Sequence, residues 1–162
     1  MKTRFILPAL LLLSACGTDP AEQLAEARRT FAAQDYDAAR VHLTALLQAE
    51  PENREALALL VDTYLRLGDG DAAQGALDRL RQAGGTGPDL ALDAAEAALL
   101  RGLPDKALTL LAMDQTADGL RVRAAALVAL GKTDQAIAAY QRGLSSGANP
   151  RLVFDYARML LE

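Results

Sequence analysis

The side chains that could do chemistry in this sequence are few and badly spaced for it. There is one His (His42) and one Cys (Cys16) among 162 residues. A nucleophile with its base and orienting group, or a cluster of imidazole and thiolate metal ligands, needs more than these supply. Gly131-Lys132-Thr133 has the tail of a phosphate-binding loop. That motif needs a further Gly five residues before Gly131, and Ala126 stands there inside a helical stretch, so no cradle of backbone N–H groups can form. Asp69-Gly70-Asp71 lacks the bidentate Glu that closes a calcium loop, and reads as a turn with a capping Asp. Gly84-Gly85-Thr86-Gly87-Pro88 has no strand before it, which a dinucleotide loop requires, and reads as a linker. His42, on a predicted helix without a second ligand nearby, reads as a surface or packing residue. No catalytic residue, metal site or cofactor is expected.

The elements that must carry any function are helices. Ala supplies 34 residues and Leu 31, while Val and Ile together supply 7 and Trp is absent. Ala and Leu are the strongest helix formers, and strands favour the β-branched and aromatic residues that are scarce here. Hydrophobic residues reach 51%, enough for a packed core rather than a disordered chain. Asp and Glu outnumber Lys and Arg 21 to 17, a net charge of −4. That balance argues against a general affinity for nucleic acid.

The N-terminus separates from this pattern. Lys2 and Arg4 precede an apolar run over residues 5–13, too short for a permanent membrane span of about 20 residues. It reads as a secretory signal. Leu13-Ser14-Ala15-Cys16 follows and resembles the lipobox of bacterial lipoproteins. The resemblance implies cleavage between Ala15 and Cys16 and acylation of Cys16, palmitate included. Two or three acyl chains would hold the chain on a membrane, where an acidic body would not adhere by charge. In enterobacterial lipoproteins an Asp after the Cys is a retention signal for the inner membrane; with Gly17 there, the resemblance implies the outer membrane, facing the periplasm. The expected organisation is a signal peptide over 1–15, a lipidated Cys with a short tether over 16–19, and a folded domain over 20–162.

Within that domain a segment repeats. Gln34-Asp35-Tyr36-Asp37-Ala38-Ala39 aligns with Gly68-Asp69-Gly70-Asp71-Ala72-Ala73, with Gly102-Leu103-Pro104-Asp105-Lys106-Ala107, and with Gly131-Lys132-Thr133-Asp134-Gln135-Ala136. The first three copies are spaced by 34 residues and the last by 29. Amphipathic Ala/Leu-rich stretches flank each copy, so the unit is a helix, a tight turn and a second helix. Gly permits the left-handed exit from the first helix, and the recurring Ala39, Ala73, Ala107 and Ala136 let two helices approach closely.

These residues resemble the tetratricopeptide repeat. Leu57, Leu60, Tyr64, Leu67, Gly68, Ala73, Leu77 and Leu80 fall at that family's helix-packing positions. So do Ala27, Tyr36, Ala39, Leu43, Leu47 and Pro51, and Leu120, Ala124, Leu127, Gly131, Ala136, Tyr140 and Leu144. The third copy is degenerate, with Ala91, Ala95 and Ala98 at places of larger residues and a loss around residues 113–117. The resemblance implies an all-α, right-handed superhelical solenoid of antiparallel helix pairs. The repeats run over about 20–53, 54–87, 88–116 and 117–150, with a fifth first helix over 151–162.

In that family the first helix of each pair lines a concave groove that holds a protein segment. Carried over position by position, the groove consists of Arg28, Phe31, Glu55, Asp62, Leu65, Arg66, Asp89, Leu92, Glu96, Leu99, Asp118, Arg121 and Val128. Its acidic middle suits an extended or helical peptide with basic residues. The Lys and Asn of the carboxylate clamp found in some co-chaperones are replaced by Leu24, Arg28, Ala58 and Asp62. On the last helix, Leu152, Phe154, Tyr156, Met159 and Leu160 are expected to form an apolar interface for a partner or a second copy. The function expected is an envelope scaffold rather than an enzyme or enzyme subunit. The opening, with Cys16, Ala25-Glu26-Ala27 and Gln34-Asp35-Tyr36, resembles the tetratricopeptide lipoproteins of PEP-CTERM/exosortase sorting, which run several times longer. Pilotin-like and outer-membrane-assembly lipoproteins are the alternative.

Overall fold

The computed structural model describes residues 19–87, 89–147 and 149–161. The lipobox and Cys16 lie outside the described residues. The described residues form nine α-helices and no strand: α1 Pro20–Ala32, α2 Tyr36–Ala49, α3 Arg54–Leu67, α4 Gly70–Gln82, α5 Asp89–Leu100, α6 Pro104–Leu110, α7 Ala117–Ala129, α8 Thr133–Gly147 and α9 Pro150–Leu161.

The boundaries follow from local chemistry. Side-chain oxygens of Asp19, Asp35, Asn53, Asp69 and Thr116 accept from the first-turn N–H groups of α1, α2, α3, α4 and α7. Each such cap contributes about 1 kcal/mol to helix stability. Within each pair the first helix closes in the same way. Gly68 N–H donates to Leu65 O and Asp69 N–H to Tyr64 O, and equivalent bonds recur at Gly102/Leu103 and Gly131/Lys132. Those glycines hold φ of 75°, 71° and 70°. Gln34 makes the same bonds in the first pair at φ 63°, without the freedom of a glycine. Gly131-Lys132-Thr133 is therefore the closing turn between α7 and α8.

Contacts place α1, α3, α5, α7 and α9 in one row, each touching the next, whereas the backbones of α2, α4, α6 and α8 stay more than 8 Å apart, Cα to Cα. A row that closes on one side and splays on the other must curve, with its odd-numbered helices inside. This is an all-α helical-repeat solenoid. Ala39, Ala73, Ala107 and Ala136 are all fully buried, as the close pairing of helices requires.

The core runs as three clusters along this row. Leu43, Leu46, Leu57, Val61 and Leu77 anchor the first, and Tyr140, Leu127 and Leu152 the last. The middle cluster is mostly alanine, with Leu111 and Val122 as its only larger fully buried members. There α6 stops after 7 residues. The Arg123 guanidinium of α7 donates to Leu111 O and, at 3.3 Å, to Asp114 O, tying α7 to the turn that follows the short helix.

The last helix differs from expectation. Leu152, expected on an exposed apolar face, is fully buried in the third cluster. The reason is Gly143: a Cβ there would lie 2.5 Å from Leu152 Cδ1, so the glycine opens the socket that Leu152 fills. Tyr156 stacks on Tyr140 at 5.1 Å, and Met159 also packs inward. Phe154 and Leu160 remain outside, 65% and 59% exposed, joined by Val153 and Leu161.

Candidate functional site: the acidic concave face

Two adjoining cavities, of about 460 and 600 Å³, open on the inner curve and share Asp62, Leu92 and Asp93. The helical period explains this concentration of carboxylates. Asp89, Asp93 and Glu96 recur at i, i+4 and i+7 on α5, one face of a helix. Asp62 and Glu96 occupy the same position of successive repeats, as do Glu55 and Asp89, so stacking aligns them.

Of the thirteen groove residues expected from the resemblance, nine line these cavities: Glu55, Asp62, Leu65, Arg66, Asp89, Leu92, Glu96, Asp118 and Arg121. Four do not. Arg28 pairs with Glu55 across α1 and α3, on the rim. Phe31 packs edge-on against Tyr36 at 5.3 Å. Leu99 joins the alanine-rich cluster, and Val128 is exposed away from both cavities.

Glu96 and Arg121, expected to line the groove, are largely taken up with each other. Both are buried, with 8% and 4% of their surface exposed. Arg121 Nη2 donates to Glu96 Oε2 at 2.7 Å and Arg121 Nη1 to Asp155 Oδ2 at 3.3 Å. Arg151 of α9 donates to the other Glu96 oxygen. Burial alone would push the Arg121 guanidinium down, but Glu96 and Asp155 outweigh it, and its pKa is raised. Asp118 contributes a longer ion pair to Arg121 Nε at 3.5 Å and accepts from Asn149 Nδ2 at 3.2 Å.

The carboxylates of Asp62 and Asp93 stand beside this network, and no cation lies within ion-pair distance of either among the described residues. Desolvation raises Asp93 to about 7, helped by the charges of Asp62, Glu96 and Asp89. Asp62 is raised as well, again chiefly by desolvation, with Arg66 acting against it and Glu96 adding to it. A cation placed between them would meet two carboxylates whose negative charge the site now penalises.

Sequence reasoning missed Asp93 and gave Arg151 and Asp155 no part in the groove. The signals were present: Asp93 shares a helix face with Asp89 and Glu96, and Asp155 follows Arg121 by one repeat length of 34 residues. His42 Nδ1 lies 2.9 Å from Gln23 Oε1, a contact that binds α2 to α1. Among the described residues, no group of three or more His, Cys, Asp or Glu could hold a metal ion. No helix among them is long and apolar enough to cross a membrane.

Comparison with known proteins bears on the fold that carries this face. The tetratricopeptide repeat family model matches residues 30–87. No curated protein matches the sequence. Among solved structures, a TPR protein of Parabacteroides merdae ATCC 43184 superposes with a TM-score of 0.74 at 18% identity, covering 92% of this chain and 60% of that one. A thermophilic TPR protein of Thermus thermophilus gives 0.68 at 22% identity, covering 90% and 83%. The MamA protein gives 0.61 at 22%, covering 78% and 72%. At these identities the likeness concerns the fold. The chain is a helical-repeat solenoid similar to TPR proteins, and its residues 30–87 match the tetratricopeptide repeat family model.

Proposed function

We propose that this protein is a lipid-anchored interaction scaffold of the bacterial envelope, whose concave face holds a peptide segment bearing basic side chains. The observation that carries the peptide reading is the pair Asp62 and Asp93. They line both cavities of the inner curve, neither has a cation at ion-pair distance among the described residues, and desolvation outweighs the more distant charges of Arg66 and Arg151 at Asp62. A lysine or arginine side chain would balance their charge. The walls beside them are apolar at Leu65 and Leu92, which suits a peptide more than a bare ion. The likeness to TPR proteins supports binding rather than catalysis.

The anchor rests on Leu13-Ser14-Ala15-Cys16 behind a basic, apolar leader, and the outer-membrane address on Gly17. Within the envelope, the resemblance of Cys16, Ala25-Glu26-Ala27 and Gln34-Asp35-Tyr36 favours an export or exopolysaccharide-linked sorting system of the PEP-CTERM kind. The test has two arms. Metabolic labelling with a palmitate analogue should mark the wild type and not Cys16→Ser. Crosslinking from membranes should capture a protein partner that is lost in Asp62→Asn/Asp93→Asn. A wild type that fractionates as free periplasmic protein overturns the anchor. Undiminished capture by the double variant overturns the groove.

A further inference from the structure

We propose that α9 is a releasable strap across the end of the concave face, latched by Arg151 on Glu96, and that Arg151 acts as an internal competitor for any cationic side chain entering the groove. The competition half of this rests on the groove reading above; the strap half does not.

The grip on α9 combines a narrow apolar seat with polar ties. Of its described residues only Leu152 is fully buried, whereas α7 buries Leu120, Val122, Ala124 and Ala126 along its length. Val153, Phe154, Leu160 and Leu161 face away from the solenoid. Leu152, Tyr156 and Met159 pack α9 on α7 and α8, but what ties it across to α5 is polar, Arg151 to Glu96, with Asp155 to Arg121 and the capping Asn149 to Asp118 beside it. Ties of this kind weaken with ionic strength where water reaches them, unlike apolar packing.

The two guanidiniums on Glu96 are not equivalent. Arg121 is enclosed, with 5% of its side chain exposed, and Asp155 and Asp118 hold its other edges. Arg151 has 36% of its side chain exposed and, among the described residues, touches no other carboxylate at ion-pair distance. It is therefore the exchangeable partner. It also lines the same cavity as Asp62 and Asp93, and its charge is felt at Asp62. An incoming lysine or arginine must either displace Arg151 from Glu96 or sit beside it against like-charge repulsion. In both cases Arg151 opposes the ligand, and displacing it removes the tie between α9 and α5.

The experiment compares the full chain in detergent with Arg151→Gln, a half-exposed site where the fold should survive. Hydrogen exchange of the α9 amides should be several-fold faster in the variant, and faster in the wild type at high than at low salt, while α1 to α4 are unchanged. A labelled hexa-arginine peptide should bind the variant at least three-fold tighter than the wild type. Unchanged α9 exchange overturns the strap. Unchanged or weaker peptide binding by Arg151→Gln, with binding still lost in Asp62→Asn/Asp93→Asn, overturns the competition. Equal binding to wild type and to Asp62→Asn/Asp93→Asn instead defeats the groove reading, and the competition with it; the strap is then decided by exchange alone.

Discussion

Arg121 of α7 and Glu96 of α5 form a 2.7 Å ion pair whose side chains keep only 5% and 11% of their surface in water. Removing one member leaves the other buried with weaker partners, Asp155 and Asp118 for Arg121 or Arg151 for Glu96, a loss that approaches but does not reach the roughly 3–5 kcal/mol of a fully stranded charge. Glu96→Gln is therefore expected to lower the urea midpoint markedly. Replacing both, as Glu96→Leu/Arg121→Met, is expected to cost less than the sum of the single variants, because neither charge is then stranded. Additive losses would show that the pair is not coupled.

Much of the architecture was legible because it rests on local chemistry repeated at a fixed period. Asp35 and Asp69 cap helices, Gly68, Gly102 and Gly131 close them, and Ala39, Ala73 and Ala107 mark the tight pairings, all within a few residues of one another. The site was legible only in part. Asp62 and Glu96 could be placed by repeat position, but Asp93 belongs to the groove through the rotation of α5, which no single motif reports. An arginine on a helix reads as solvated, so the burial of Arg121 became visible only once Glu96 and Asp155 were brought to it from two other helices. Leu152 read as exposed because its socket is the missing Cβ of Gly143, a feature of another helix.

Asp93 gives the fold a pH signature opposite to that of most carboxylates. Its pKa is raised in the folded protein from an ordinary 3.8 to about 7. Between those values the folded state binds a proton that the unfolded state has released, so Asp93 weakens folding progressively as pH rises towards 7 and above. Asp93→Asn should therefore raise stability at pH 8, on the order of 2 kcal/mol, and change little near pH 4. Thermal melts of the two proteins at both pH values check this. A gain of equal size at pH 4 would remove the titration of Asp93 as its cause.

Proton linkage extends to binding. A basic peptide favours the ionised forms of Asp62 and Asp93, so its affinity should fall as pH drops from 8 to 6, with proton release on binding near neutral pH. Calorimetry of hexa-arginine binding in two buffers of different ionisation heat measures that release directly. Buffer-independent heats at pH 7 would place the ligand away from Asp93.

Gln34 occupies the left-handed position that Gly68, Gly102 and Gly131 hold in the other pairs. An L-residue with a Cβ costs roughly 1 kcal/mol there relative to glycine. Gln34→Gly is expected to stabilise by about that amount and Gly68→Ala to destabilise by a similar one. An added methyl at Gly68 meets no atom within 4 Å, so the second effect isolates the backbone. Urea titration of both variants is sufficient. Opposite signs are expected, and a loss in both would mean that the Gln34 side chain, which borders the groove cavity, makes a contact worth more than the strain.

The outer side of α9 supplies the last expectation. Phe154, Leu160 and Leu161 are 65%, 59% and 89% exposed, and Val153 lies beside them. Single exposed apolar residues are ordinary, but neighbouring ones on one helix form a patch that water disfavours. Their spacing at i, i+1, i+7 and i+8 places Val153, Phe154, Leu160 and Leu161 on a common stripe. In a lipid-free form covering residues 17–162, two such stripes can cover each other, because the same patch on two copies is self-complementary about a two-fold axis. Light scattering is therefore expected to show a mass that rises with concentration. Leu160→Glu should return it to the monomer value while leaving the circular dichroism unchanged, since Leu152, Tyr156 and Met159 hold the opposite side of the helix. A wild type that stays monomeric at millimolar concentration would show that the stripe is too narrow to join two copies.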